Sequence, residues 1–349
     1  MGRTTDDWII TLLLVFLTSV GLFVLSTLSQ ALFLQQFVFV IFAVVFFRLF
    51  SRIDGAVLWW FAPWGYILSL ILLLVSFLGP EIRGATRWIM IGTIQIQPSE
   101  LVKPLLLLAF SRFMTQFSPR QFKNVLLHML LFALPVLLVI RQPDLGTSII
   151  YTSSWVAMMV AAGLPLWTLI LAGIGVGFIF PFLWNLLAPY QRDRLTTFLA
   201  PTLDPKGAGY NALQSMIAVG SGQFFGRGLG RGTQSHLRFL PEHHTDFIFA
   251  TLVEELGFFG GIALLLSYFA LFVRMLMPLL RGFTDDLFAF IFSIGLFAVI
   301  MAQVFIHVGM NMGVLPITGI TLPLVSYGGS SVISIAISFG IWFALVRRR

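Results

Sequence analysis

The sequence predicts an all-α polytopic membrane protein: about ten transmembrane helices, re-entrant or interfacial outer segments, and one large extracytoplasmic loop. Three observations predict it. Of 349 residues, 58% are hydrophobic and only 10% are charged, where a soluble chain carries about 25% charged residues. The apolar residues fall in runs that match the roughly 20 residues needed to cross a hydrocarbon core. The gaps between runs are mostly short, as in a helical bundle. A water-soluble domain and a disordered chain are both excluded. The chain has no cysteine, which excludes disulfides, thiolate metal sites and cysteine nucleophiles.

In chain order the expected spans are about 8–28, 31–50, 57–79, 99–117, 124–141, 145–163, 165–188, 246–273, 285–309 and 327–346. All belong to a single integral membrane domain, 1–349. The first lacks a small-residue cleavage site and reads as a retained span, not a signal peptide. Three connections are unusual. Residues 80–98, GPEIRGATRWIMIGTIQIQ, are too apolar for a solvated loop and too rich in glycine for a span. Residues 189–245 are the large hydrophilic loop. Residues 310–326, MNMGVLPITGITLPLVS, are apolar but broken by Gly and Pro. The first and third read as re-entrant or interfacial, because irregular backbone at membrane depth survives only inside protein or beside a wet cavity.

Ten spans put both termini on one side. The loops there hold Arg3, Arg48, Arg52, Arg112, Arg120, Lys123, Arg274, Arg281 and Arg347 to Arg349, eleven of the 21 basic residues. The positive-inside rule makes that side cytoplasmic. The unusual segments then face outward, and with them most acidic residues: Glu81, Glu100, Asp144, Asp193, Asp204, Glu242, Asp246, Glu254 and Glu255. The net charge of +7 suits an anionic membrane surface and an anionic substrate. Nucleic acid is not an expected partner.

Six outward segments carry the candidate chemistry. Thr245 and Asp246 stand where the large loop enters span eight. They read as a helix cap, or Asp246 is a general base at the water boundary. A continuous helix would place Glu254 and Glu255 about 12–13 Å deeper, inside the membrane, where charges are costly. Helical geometry turns Glu254 toward the interior that Asp246 faces and Glu255 toward another helix. Both could equally be structural interhelix pairs.

In 84–104, Pro98 marks a helix start, with Ser99 and Glu100 in the first turn. Glu100 and Lys103 are spaced i,i+3 and can pair. Arg87 and Trp88 form either an interfacial anchor or an anion and sugar contact. Asp144, in RQPDLGTS, reads as a turn and N-cap. Arg192 and Arg194 open the large loop as a solvated face or a pyrophosphate clamp.

The run at 220–246 contains GRGLGRG without a Walker pattern, so nucleotide binding is not expected. Arg227, Arg231 and Arg238 could line an anionic groove. His236, His243 and His244 do not have metal-site spacing. In PITGITLPLVSYGGSS, Ser326, Ser330 and Ser331 could form a phosphate nest at the start of span ten, with helix packing the alternative for Gly328 and Gly329.

Taken together, GATRWI…QPSELVKP, RQPDLGTS, QSHLRFLPEHHTDFIFATLVEELGFFGG and NMGVLPITGITLPLVSYGGSS resemble the SEDS family, the shape, elongation, division and sporulation proteins. The resemblance covers nearly the whole chain and runs closer to the rod-shape members than to the division members. IQIQ at 94–97 and Val325 depart modestly from the family pattern. The resemblance implies a peptidoglycan glycosyltransferase of the bacterial cytoplasmic membrane that polymerises lipid II on the outer face. It implies a class B penicillin-binding protein as partner. The family's essential acid maps onto Asp246, its span glutamate onto Glu254, its SEL-K motif onto Ser99, Glu100 and Lys103, and its tryptophan onto Trp88. It further implies inversion by single displacement. Arg87, Lys103, Arg192 and Arg194 are candidate cations for the leaving pyrophosphate, and a divalent cation (Mg or Mn) could bridge it to Asp246. The rival functions are a lipid II flippase and a non-catalytic scaffold for the penicillin-binding protein.

Overall fold

The computed structural model describes residues 5–81, 85–92, 94–186, 208–237, 239–280 and 286–346, together with residues 192, 196 and 198. Helices stand at all ten expected spans. They are α1 (Thr5–Leu28), α2 (Gln30–Phe50), α3 (Gly55–Val75), α4 (Pro98–Leu101) running on as α5 (Lys103–Gln116), α6 (Phe122–Arg141), α7 (Leu145–Ala161) and α8 (Leu166–Leu186). After the loop helices α9 (Ala208–Ser221) and α10 (Thr233–His236) come α11 (Ile248–Leu280), α12 (Leu287–Asn311) and α13 (Gly329–Val346). Among the described residues, seven helices are long and apolar enough to cross a membrane on length and composition alone. The centre is built from α12 and α13, the most enclosed of the seven. α12 packs along α5 and α7, and α13 along α2.

The three unusual connections take distinct forms. The described residues of 80–97 are not helical: Ile89–Ile91 (β1) and Ile94–Ile96 (β2) pair antiparallel, with Ile89 opposite Ile96. The segment after α12 has no regular structure, yet Thr318, Ile320, Leu322, Val325 and Ser326 are buried. Neighbouring helices enclose it. A Cβ on Gly21 of α1 would meet the Val325 carbonyl, and one on Gly146 of α7 would meet Ile320 and the Thr318 carbonyl. Irregular backbone is therefore wrapped in protein, as the bilayer demands. The large loop is not simply solvated, because α9 lies against α11 and α12.

Local chemistry explains the start of the fourth span. Pro98 occupies the first turn of α4, where its missing N–H costs nothing. Pro104 has no N–H for the Glu100 carbonyl, and the Ser334 hydroxyl donates to that carbonyl instead at 2.6 Å. The Ser99 carbonyl accepts from the Tyr151 hydroxyl at 2.6 Å. This helix start is thus tied to both α7 and α13.

Candidate active site around Asp246

Span eight is not one continuous helix. Gly257 has φ 71° and ψ −168° inside α11, a region essentially restricted to glycine. A Cβ on Gly261 would lie 3.0 Å from Val253 Cγ2 and 3.9 Å from the Phe249 ring. In a straight helix residues eight apart are separated by about 12 Å, so the chain folds back sharply at Gly257. The Gly-rich loop takes up backbone groups that this break releases. Arg227 N–H donates to the Glu254 carbonyl (2.9 Å), and Phe258 N–H donates to the Gln223 carbonyl (2.8 Å).

This fold-back overturns the expected depth order. The Glu255 carboxylate accepts from the Thr27 hydroxyl at 3.0 Å, level with the last turn of α1. Val325 instead lies against Gly21, six residues earlier and so about 9 Å further into the bundle. Residues 244 and 245 are bonded at that deeper level: the His244 carbonyl accepts from Tyr327 N–H at 2.9 Å, and the Thr245 carbonyl from the Ser326 hydroxyl at 2.7 Å. Asp246 is therefore the deeper carboxylate, and the two glutamates sit nearer the α1–α2 turn.

The helix-cap expectation also changes. Residues 241–247 form turns, and the helix begins at Ile248. Thr245 Oγ1 is turned back to the Glu242 carbonyl at 3.3 Å. Asp246 is only partly buried, while its backbone is pinned. Its carbonyl accepts from Asn311 Nδ2 at 3.0 Å, and its N–H donates to the Glu242 carbonyl at 3.0 Å. Its Oδ2 faces Gly319, where a Cβ would stand 3.3 Å away. Gly319 has φ 73°, and its lack of a side chain lets the carboxylate lie close against its backbone.

Glu254 is bonded to the loop helix α10. The Glu254 carboxylate is fully buried and accepts from Gln234 N–H (2.9 Å), Ser235 N–H (3.2 Å) and the Ser235 hydroxyl (2.9 Å). It holds the loop at α10. Glu255 is bonded to His236 Nε2 at 2.8 Å as well as to Thr27. The helix-periodicity argument failed here because Asp246 lies in the turns before Ile248, off the helix that carries both glutamates.

A second cluster ties the hairpin to the bundle. Asp144 caps α7, as expected, accepting from Thr147 N–H at 3.1 Å and the Thr147 hydroxyl at 2.9 Å. It also accepts from Gln97 Nε2 at 3.0 Å and faces Arg87 Nη1 at 3.7 Å. The Arg87 guanidinium lies 5.9 Å from the Trp88 ring centre. Ser99 Oγ accepts from Gln97 Nε2 (3.1 Å), and Ser330 Oγ accepts from Gln97 N–H (3.0 Å). The Ser326 hydroxyl accepts from Leu322 N–H at 2.8 Å while donating to Thr245. Ser331 bonds Thr321 at 3.2 Å. In this structure these serines bind backbone and neighbouring hydroxyls, so they are not arranged as an empty nest.

Glu100 and Lys103 form the expected pair, 2.6 Å apart with side chains 9% and 4% exposed. Arg192 is partly buried. Arg194 and Arg238 lie outside the described residues. Arg227 and Arg231 are exposed, and Arg227 Nη1 donates to the Thr233 hydroxyl at 3.1 Å. Among the described residues, no three His, Asp or Glu side chains converge to hold a metal ion.

The family model described as cell cycle protein, spanning FtsW, RodA and SpoVE, matches residues 4–349. The chain belongs to the FtsW/RodA/SpoVE family. The peptidoglycan glycosyltransferase MrdB of Escherichia coli (strain K12) is 43% identical over 292 residues, which cover 82% of this chain and 78% of that protein. The probable peptidoglycan glycosyltransferase FtsW of Nitrosococcus halophilus (strain Nc4) is 38% identical over 75% of this chain and 68% of that one. The crystal structure of the Thermus thermophilus rod shape determining protein RodA superposes with a TM-score of 0.75 at 26% identity, covering 99% of this chain and 98% of that one. A chain from a structure described as showing structural coordination of polymerization and crosslinking by a peptidoglycan synthase complex gives 0.85 at 29% identity, covering 99% and 98%.

The family fold is thus a polytopic bundle of α-helices in the membrane, as the hydropathy pattern predicts. Within this family member, sequence reasoning missed Gln97, Asn311 and Gly319. A signal existed for Asn311. Gln303, His307 and Asn311 recur every four residues along α12, and all three are fully buried. Polar side chains on one face of an apolar span are a functional hypothesis by default.

Proposed function

We infer that this chain is a peptidoglycan glycosyltransferase of the rod-shape, cell-elongation type, which polymerises lipid II at the outer face of the cytoplasmic membrane. The observation that carries the chemistry is the carboxylate of Asp246, partly exposed, with its backbone pinned by Asn311 and Glu242 and its Oδ2 against Gly319. In the reaction, the 4-hydroxyl oxygen of the acceptor sugar attacks the anomeric carbon of the donor. The bond from that carbon to the pyrophosphate oxygen breaks, and its electron pair leaves with polyprenyl pyrophosphate. The hydroxyl proton passes to Asp246. One displacement inverts the anomeric centre and needs a single base.

The leaving charge calls for a cation. Arg87, whose side chain is 26% exposed, is better placed to meet a phosphate than Lys103, which is buried against Glu100. Arg192 and Arg194 are further candidates on the loop. A divalent cation, Mg or Mn, would bind with the pyrophosphate rather than in a protein cage. The class B penicillin-binding protein is the proposed partner, and both termini are proposed to be cytoplasmic.

The test is Asp246→Asn. It keeps the side-chain size and leaves the backbone bonds of residue 246 intact. Initial polymerisation rate should fall by about 10² to 10⁴, the range for general acid–base catalysis. Lipid II affinity and melting temperature should change little, because a base acts mainly in the transition state. Near-normal turnover by the folded variant would sink the assignment of the base to Asp246, whereas absence of polymerisation by the wild-type chain, alone and with its transpeptidase, would return the scaffold and flippase readings.

A further inference from the structure

Asn311 is the last residue of α12. Its side chain is fully buried, and both amide donors and the amide oxygen are engaged. Nδ2 donates to the Asp246 carbonyl (3.0 Å) and to the His307 carbonyl (2.8 Å). Oδ1 accepts from Ala250 N–H at 3.1 Å. The Asn311 carbonyl accepts from the Ser215 hydroxyl of α9 at 2.9 Å. One amide therefore bridges the junction between the turns that carry Asp246 and the start of α11: the carbonyl at 246 and the N–H at 250.

The same helix holds the opposite wall. His307, one turn earlier on α12, donates from Nδ1 to the Ile320 carbonyl at 2.7 Å. Ile320 follows Gly319, the residue against which the Asp246 carboxylate lies. Two residues on one face of a central helix thus set both the carboxylate and the surface it faces. The first four N–H groups of a helix have no intrahelical partner. Ala250 lies in that first turn of α11, so Asn311 supplies its acceptor from another element.

We propose that Asn311 is a positioning residue for the glycosyl transfer, acting by fixing the Asp246 carboxylate relative to the Gly319 wall. The proposal rests on the reading of Asp246 as the base. An amide is suited to the task because it alone among small neutral side chains offers two donors and an acceptor in one plane. A misplacement of about 1 Å from a change remote from the chemistry can cost on the order of 10² in rate. The loss should fall on kcat and spare KM, because Asn311 does not touch substrate.

Two variants test this: Asn311→Ala, and Asn311→Ser, whose hydroxyl can still return to the His307 carbonyl but is too short to reach Asp246. Polymerisation kinetics on lipid II would be paired with amide hydrogen exchange in detergent. Both variants should lose about 10- to 100-fold in kcat with KM within threefold. Exchange should rise in peptides covering 243–251 and remain unchanged in α5, α7 and α13. Turnover within threefold of wild type in either folded variant would overturn the proposal. So would a lower kcat with unchanged protection at 243–251, loosening throughout the bundle, or failure of both variants to fold, each of which makes Asn311 a packing residue or places its action elsewhere. Asp246→Asn in the same assay separates the two claims. Turnover surviving there removes the base itself, whereas an inactive Asp246→Asn beside a fully active Asn311→Ser removes only the positioning role.

Discussion

The Glu100–Lys103 pair offers the sharpest energetic prediction. The perturbation is Lys103→Met, which keeps the apolar stem and removes the charge. Both side chains are more than nine-tenths buried, and they meet at 2.6 Å. Among the described residues Glu100 Oε2 has no hydrogen-bond partner, and Lys103 is the group that supports Oε1 and the charge. Removing one partner of a buried pair costs about 3–5 kcal/mol, because a charge is stranded out of water. The first-turn position of Glu100 offers partial relief, since a helix N-terminus favours an anion by about 0.3–1 kcal/mol. A net loss of about 3 kcal/mol should remain, a drop in melting temperature of about 4 °C for a chain of this length. Glu100→Gln together with Lys103→Met removes both charges and should recover most of that loss, as apolar replacements of buried pairs do. The assay is a four-member cycle of thermal melts in detergent, read by tryptophan fluorescence. Effects that add within about 0.5 kcal/mol would mean no coupling and would refute the buried-pair reasoning. Lys103 would then act independently, for example on a phosphate.

Three further expectations follow from other parts of the fold. Gly257→Ala places a Cβ against Gly226 N and the Phe224 carbonyl at a φ of 71°; it should cost at least about 3 kcal/mol from strain and displaced backbone bonds, and a melting curve matching wild type would contradict the fold-back. Glu254→Gln removes one of the oxygens that hold Gln234, Ser235 and the Ser235 hydroxyl, a loss of about 1–3 kcal/mol that should appear as faster proteolysis within 222–237 while lipid II affinity is unchanged. For topology, a cysteine at the exposed Arg231 of this cysteine-free chain should be labelled in intact cells, and a tag after Arg349 should be reached only after permeabilisation; the opposite pattern would invert the orientation.

The sequence by itself determined the spans, because crossing a bilayer is a local requirement: enough apolar residues in a row, bounded by turns and charges. It also determined the features whose partners lie within one helical turn. Pro98 starts α4, Asp144 caps α7, and Glu100 meets Lys103 for that reason. The motifs of the candidate site were legible too, down to Asp246.

Only the tertiary structure decided where those motifs stand. Periodicity placed Glu254 beyond Asp246 on one straight helix, but Gly257 turns the chain back and reverses their depths. That turn is stable because the backbone of 223–228 supplies hydrogen bonds from more than 25 residues away in sequence. Ser326 and Ser330 are bonded to Thr245 and Gln97, and Asn311 grips Asp246 across 65 residues. Inside a membrane each irregular backbone group must find a protein or water partner. For this site those partners are distant in sequence, so no local pattern could reveal them.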